Sequence, residues 1–535
     1  MWNATLLGVW QPLTWFLTAV EYVALGRPDM NTPAGLARFS AGIHAVSVAL
    51  HALASAVCFF VARQLLRHAM PERAARGPAG LDVAALLTAL LFGLHPFRTE
   101  VVAWASGQPY VFAMVFALTC IWAYIHAVEQ PTTAGYLAWY IVAAAMLALS
   151  VLCKAMAVPM VAVLFVLDFY PLRRFERLTD WPRLSRVLAE KIPLALITLA
   201  VAYRTIHATT STKNYAADSI NEKYLVACFC IWFYVLVTFI PVGIAPYYMK
   251  PLPFNSLDPL FILAGLAVPI FTVFCLVQWR RRPWLLAAWA ACVLVLLPVI
   301  GLVQHGGQMA ADRYTYLSCI PWALLIGGAA LRFWDSGAAA SSGLSGARVV
   351  ILGAGAAASL GLGVMSWRQA AVWHDTVSTW TAMVVRNPDF HMGFYNLAAA
   401  YNRNGNVDMA VKMYEEAIRL NPLYPEALVN LGNIHRRRGD SERAVAYYLT
   451  ALQGRKNFHM ALMNLADVLG GMGRCAEARQ YLATALEEAL HSNERDDREQ
   501  RAPQIEQRLR FIEKHCVDRP QPASRSVAVP RPARP

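Results

Sequence analysis

Residues 391–424 read HMGFYNLAAAYNRNGNVDMAVKMYEEAIRLNPLY, residues 425–458 read PEALVNLGNIHRRRGDSERAVAYYLTALQGRKNF, and residues 459–492 read HMALMNLADVLGGMGRCAEARQYLATALEEALHS. Aligned, they repeat every 34 residues: Gly405, Gly439 and Gly473; Leu397, Leu431 and Leu465; Ala410, Ala444 and Ala478; Ala417, Ala451 and Ala485. Small side chains at the Gly and Ala positions let paired helices approach closely. Large ones, such as Tyr401, Tyr414 and Tyr448, fill the space between pairs. Each unit can bury its apolar face only against its neighbours, so the array needs several units and caps.

A period of 34 residues with this pattern is the tetratricopeptide (TPR) register. A half repeat over 367–390 precedes the three full ones, because Pro388 lies 34 residues before Pro422 and Trp380 lies 34 before Tyr414. Residues 493–516, rich in Glu and Arg, read as a capping helix, and 517–535 as a disordered Pro/Arg/Ala tail. Asn396, Asn430 and Asn464 also repeat at 34 and fall on the inner helix of each pair. Such an amide ladder can hydrogen-bond an extended polypeptide without reading its sequence. Capping between repeats would use the same groups. Arg403, Arg436 and Arg437 add positive charge that suits an acidic partner or simply a solvated face.

Residues 1–366 are different. The chain of 535 residues is 57% hydrophobic and 15% charged, and its long apolar runs fall before residue 366. Runs of about 18 residues or more are transmembrane candidates. The expected spans are 40–66, 81–97, 101–127, 136–153, 155–171, 191–208, 259–279, 284–303, 316–332 and 348–366, with 4–25 and 224–243 ambiguous. The expected fold class is therefore all-α, a polytopic helix bundle of about 10–12 apolar helices followed by a TPR solenoid. The net charge of +13 comes from arginines in short loops between apolar runs. The positive-inside rule accounts for it, and nucleic acid is not an expected partner.

The basic loops 63–76, 173–191, 280–282 and 332–348 can all be cytoplasmic only if 224–243 makes no full crossing. Residues 95–100, 153–154 and 305–316 then share the non-cytoplasmic face, and span 348–366 delivers the repeats there. The linker 335–347, DSGAAASSGLSGA, is flexible in composition. Residues 353–363, GAGAAASLGLG, lie inside an apolar span with no preceding strand. They read as small-residue helix packing, not a dinucleotide loop. The Met1 segment has no basic n-region or small-residue cleavage site, so a cleavable signal peptide is not expected there. Eight of ten cysteines lie in or beside apolar runs as small hydrophobes, and no metal or cofactor site is expected. Cys475 and Cys516 remain as one available pair.

Ionisable groups at membrane depth carry functional hypotheses by default. In His95-Pro96-Phe97-Arg98-Thr99-Glu100, a short turn between spans, Arg98 can meet a phosphate and Glu100 can act as a base, or the two can pair with each other. Lys154 sits in a similarly tight turn, as a phosphate-binding charge or a snorkelling lysine. The densest patch runs from Gln304 to Tyr316. There Asp312 is the second candidate acid/base, and His305, Gln308, Arg313, Tyr314 and Tyr316 are candidate contacts to a diphosphate or sugar. Interfacial anchoring by tyrosine is the plainer reading. No nucleophile elbow, phosphate loop or zinc motif is present.

Four segments, QPLTWFLTAVEYVALG (11–26), HPFRTEVVAWASGQPYVFAMVF (95–116), LCKAMAVPMVAVLFVLDFYPL (152–172) and PVIGLVQHGGQMAADRYTYL (298–317), followed by the repeats, resemble bacterial relatives of the TMTC-type proteins. Those are transmembrane, TPR-containing O-mannosyltransferases of the GT-C fold. The resemblance implies transfer of sugar from a polyprenyl-phosphate carrier to a protein on the outer face of the bacterial inner membrane. An acidic residue would deprotonate the acceptor and basic groups would steady the leaving phosphate. Against the family pattern, the first span and its acidic pair are expected to be missing before Gln11. Two functions are expected: a glycosyltransferase whose repeats present the acceptor polypeptide, or a non-catalytic membrane scaffold recruiting envelope proteins. A transporter is a third and weaker reading, because the halves show no clear internal symmetry.

Overall fold

The computed structural model describes residues 10–175, 177, 179–210, 219–251, 254–302, 308–334, 345–491 and 500–517. His305, most of the 335–347 linker, the start of the expected cap and the tail from 518 lie outside them. Among the described residues every regular element is helical. There is no strand, only an isolated antiparallel bridge between Tyr248 and Ala310. The chain divides into two compact units, Met1–His374 and Asp375–Pro535.

Among the described residues of the first unit six helices are long and apolar enough to cross a membrane: Ala34–Ala69, Ala105–Glu129, Thr133–Cys153, Ile220–Phe239, Pro259–Val277 and Gly346–Trp373. Two bent pairs, Pro78–Gly93 with Pro96–Ala103 and Asp312–Ser318 with Ile320–Trp334, bring the number to as many as eight. Other expected spans fall outside this set for physical reasons. Ala155–Phe169 and Pro283–Leu296 are shorter than the ~20 residues that a hydrocarbon core requires. Trp181–Thr210 carries Arg183, Arg186, Glu190, Lys191 and Arg204. Leu260, Leu263, Leu266 and Ile270 are exposed, and the apolar helix Gly346–Ala370 buries no residue. Water does not tolerate so much continuous apolar surface, whereas lipid covers it.

A charged network pins the interior at one end of this unit. Asp168, fully buried, accepts from Tyr124 Oη at 2.7 Å and pairs with Lys191 Nζ at 2.5 Å. Arg174 joins Asp168 at 3.4 Å and Glu190 at 2.5 Å. Four chain segments therefore share one set of charges.

The second unit is a series of short antiparallel helices: Thr376–Arg386, His391–Arg403, Val407–Leu420, Pro425–Arg437, Ser441–Gly454, His459–Gly471, Cys475–His491 and Ala502–His515. The first helix of each repeat ends before a glycine with φ of +79° (Gly405), +82° (Gly439) or +80° (Gly473), a conformation that side chains with a Cβ resist. Asn406 and Asp440 then cap the next helices. At Gly432 a Cβ would stand 2.7 Å from the Tyr448 ring, so the small residue sets the helix spacing. Cys475 and Cys516 form a disulfide that fastens the last helix, while the other eight cysteines are buried and unpaired.

Removing Asp168 leaves Lys191 buried without its counter-charge. Asp168→Ala is expected to destabilise the first unit by about 3–5 kcal/mol, read as a lowered unfolding temperature of the detergent-purified chain.

Candidate functional site

Pro96 disfavours helical geometry at the preceding residue, and His95 is accordingly extended, with φ −71° and ψ 129°. The helix Pro78–Gly93 stops there. The connection to the next helix is longer than the short turn expected from the sequence. Residues 94–107 form a turn at Pro96–Arg98, a helical turn at Thr99–Ala103 and another at Ala105–Gly107 before the helix Gln108–Glu129 begins. The fold is tight: a Cβ on Gly107 would lie 2.7 Å from the Val101 carbonyl. This segment turns Arg98 and Glu100 into the protein, leaving them 2% and 1% exposed.

The second segment meets it there. Met309 N donates to Tyr248 O at 2.8 Å, and Ala311 N donates to Tyr234 Oη at 3.1 Å. Those bonds fix the entry to the turn Asp312–Tyr314. Glu100 accepts both from the Arg313 backbone N, at 2.7 Å, and from its guanidinium. Arg98 and Glu100 thus pair with others rather than with each other. Arg98 donates to Thr315 Oγ1 at 2.9 Å, Cys319 Sγ at 2.8 Å and Phe92 O at 3.3 Å, between the Phe92 and Tyr316 rings. Its fork is held by protein groups.

Asp312 is 1% exposed. Its Oδ1 accepts from Tyr248 Oη at 2.7 Å, and its Oδ2 is buried with no hydrogen-bond partner among the described residues. Arg313 lies over Trp104 and Tyr314, 5.6 and 5.0 Å from the ring centroids. Gln308 Nε2 donates to Tyr314 Oη at 3.3 Å. Lys154 Nζ sits 4.8 Å from the centre of the Tyr110 ring, and among the described residues no carboxylate pairs with it. Tyr314 and Tyr316 part company. Residues two apart do not share a helical face, and Tyr316 is fully buried, its hydroxyl 2.7 Å from His51 Nδ1.

The helix Pro12–Ala24 completes the group. Thr14 Oγ1 donates to Cys153 O at 3.0 Å, beside Lys154. Gln108 Nε2 donates to Glu21 at 3.0 and 3.2 Å. Burial raises the Glu21 carboxyl above its usual range, and the Gln108 bond partly offsets this. Segments 11–26, 95–116, 152–172 and 308–317, far apart in the chain, therefore converge. Sequence reasoning did not select Glu21, Gln108, Tyr110 or Tyr248. The first sat in view as the one carboxylate of an apolar stretch; the others carry no signal beyond residue type.

In the second unit the three ladder amides do not repeat their bonding. Asn396 Nδ2 donates to Met392 O at 2.8 Å, Asn430 Nδ2 to Tyr414 Oη at 3.1 Å, and Asn464 Nδ2 to Asn433 Oδ1 at 3.0 Å. Nearby, Arg508 pairs with Asp467 at 2.5 Å.

The pairing hierarchy predicts a stability order. Glu100→Ala strands a buried guanidinium and is expected to lower stability by about 3–5 kcal/mol. Lys154→Ala breaks no ion pair and is expected to lower it by no more than about 2 kcal/mol, the scale of a desolvated cation–π contact. Thermal unfolding of the two variants side by side measures the difference.

The tetratricopeptide-repeat family matches residues 394–457. No curated protein matches the chain. The C-terminal unit is a TPR-type helical repeat, a class that generally binds peptide partners, joined to a multi-pass body of apolar helices.

Proposed function

We propose that the chain is an integral membrane glycosyltransferase of the GT-C type, moving a sugar from a polyprenyl-phosphate carrier to a polypeptide held by the repeats. The observation that carries this reading is the convergence of Asp312, Glu100, Arg313 and Lys154 in an apolar body, with Asp312 Oδ2 left without a partner among the described residues. Asp312 takes the proton of the acceptor hydroxyl. The freed oxygen bonds to the anomeric carbon as the carbon–oxygen bond to phosphate breaks, and the electron pair leaves with the carrier phosphate. Lys154 and Arg313 face that developing charge. Glu100 holds Arg313 in place, Arg98 holds Thr315, and Tyr314 and Gln308 contact the sugar. His305 and Tyr316 were the other expected contacts; Tyr316 serves as packing.

The topology expectation gains support as well. Thr238 O lies 3.2 Å from His95 Nε2, and Glu222 pairs with Lys250, two residues from Tyr248. Ile220–Phe239 thus contacts the His95 turn near its end, and Tyr234 within it reaches Ala311 beside the cluster. Ser366 Oγ donates to Leu94 O at 2.7 Å, and Trp373 lies 6.2 Å from Trp104. These contacts tie the end of Gly346–Ala370 to residues 94–104. The Cys475–Cys516 bridge suits an oxidising compartment. These features favour a cell-membrane protein with periplasmic repeats, in which Asn396, Asn430 and Asn464 line the acceptor groove.

The scaffold reading has its own observation: Glu100 and Arg313 satisfy each other, and the ladder amides are engaged within the chain. The purified chain with polyprenyl-phosphate sugar decides between the two. Asp312→Asn is expected to lower transfer by roughly 10²–10⁴-fold, the worth of a general base, with unfolding temperature retained. Unchanged transfer in that variant sinks the assignment, and no transfer by wild type selects the scaffold. In membranes prepared without reductant, Cys475 and Cys516 are expected to resist maleimide until reductant is added; immediate labelling contradicts periplasmic repeats.

A further inference from the structure

A second site lies in the body, away from the cluster. A cleft of about 560 Å³ opens among the helices Pro33–Ala69, Met160–Phe169, Pro283–Leu296 and Ile320–Trp334. That volume falls within the ~300–1,000 Å³ typical of small-molecule sites. Its walls are apolar, with Leu65, Val163, Ala291, Leu324 and Gly328 among the lining. None of Glu100, Asp312, Arg313, Lys154 or Tyr314 lines it.

The polar lining is confined to one end. Arg173 and Tyr170 come just after the last turn of Met160–Phe169, Arg281 precedes Pro283, and Arg332 stands in the last turn of Ile320–Trp334. Met70, at the end of Pro33–Ala69, lies there too. Arg173, Arg281 and Arg332 are exposed, and among the described residues none is paired with a carboxylate. Arg173 rests 6.0 Å from the Tyr170 ring centre. Among the described residues no acidic side chain lines the cleft.

Its length fits a lipid tail. From Ile320 to Arg332 the helical wall rises about 18 Å at 1.5 Å per residue, a little more than one leaflet's ~15 Å share of a ~30 Å hydrocarbon core. Apolar depth below and unpaired cations at the mouth form the complement of a phosphate-headed amphiphile. We infer that this cleft binds an anionic glycerophospholipid, its acyl chain along Leu324 and Gly328 and its phosphate on Arg173, Arg281 and Arg332. This site rests on the membrane character of the body and is independent of sugar transfer. It lies at the end that carries the basic loops, so the lipid comes from the leaflet opposite the Asp312 cluster.

Gly328 allows a steric test. A Cβ there would meet Leu66 and Met70 at 3.6 Å, ordinary contact, so a larger side chain grows into the cleft. The experiment is native mass spectrometry of the full chain, purified in neutral detergent and offered equimolar phosphatidylglycerol and phosphatidylcholine. Wild type is expected to retain phosphatidylglycerol preferentially. An Arg281→Gln/Arg332→Gln double variant is expected to lose that preference by about tenfold or more, since each surface arginine contributes substantially to anionic-lipid binding. Gly328→Phe, which keeps every arginine, is expected to lose retained lipid altogether. Equal retention of the two lipids by wild type, or unaltered preference in both variants, overturns the site. Displacement of phosphatidylglycerol by equimolar undecaprenyl phosphate overturns the glycerophospholipid assignment in favour of an isoprenoid one. Because sugar transfer is not the readout, failure here and failure of the glycosyltransferase reading remain separate.

Discussion

A charge inside an apolar body must find its opposite, and the Glu100–Arg313 pair is where this chain meets that demand. One carboxylate takes both the backbone and the side chain of Arg313, from 213 positions away in sequence. Breaking either partner leaves an ion where solvent cannot reach it. The pair joins residues 94–107 to the 308–318 turn, and everything polar nearby takes its position from that joint. Arg98 is placed on Thr315, Tyr248 on Asp312, and Trp104 beneath Arg313. The Asp168–Lys191–Arg174–Glu190 network does similar work in another part of the body. Two knots of paired charge hold together helices whose apolar surfaces alone would slide.

The repeats could be read from the sequence because their physics is local. Each 34-residue unit states its own helix ends and its own small and large contacts, and the glycines fall where the backbone turns left-handed. The apolar helices were legible in kind for a similar reason, since length and composition decide membrane compatibility. The length of each was less so. A helix such as Met160–Phe169 is apolar for its neighbours rather than for lipid, and periodicity does not separate the two.

The site was legible only in its charged members. Glu100, Asp312, Arg313 and Lys154 stood out because ionised groups are rare in apolar sequence. Their partners did not. Tyr248 reaches Asp312 through a backbone bridge at Ala310 that no pattern announces, and Gln108 meets Glu21 across 87 positions. Arg98 and Glu100 looked like a local pair because they are two apart, yet the turn at Pro96 sends them to different partners. Tyr314 and Tyr316 looked alike on paper and separate into an Arg313 contact and a buried ring. The asparagine ladder is periodic in sequence and aperiodic in bonding: Asn396 bonds a carbonyl of its own repeat, whereas Asn430 and Asn464 bond a tyrosine and an asparagine of the preceding one.

The disposition of sulfur has a practical meaning. Every free thiol in the chain is buried and the remaining two are joined. In its native state the protein is therefore nearly silent to water-borne thiol reagents. A cysteine introduced into any loop would become a lone reporter of the compartment it faces, without first stripping the natural ones. The chain carries, in effect, its own blank background for mapping which side of the membrane each loop occupies.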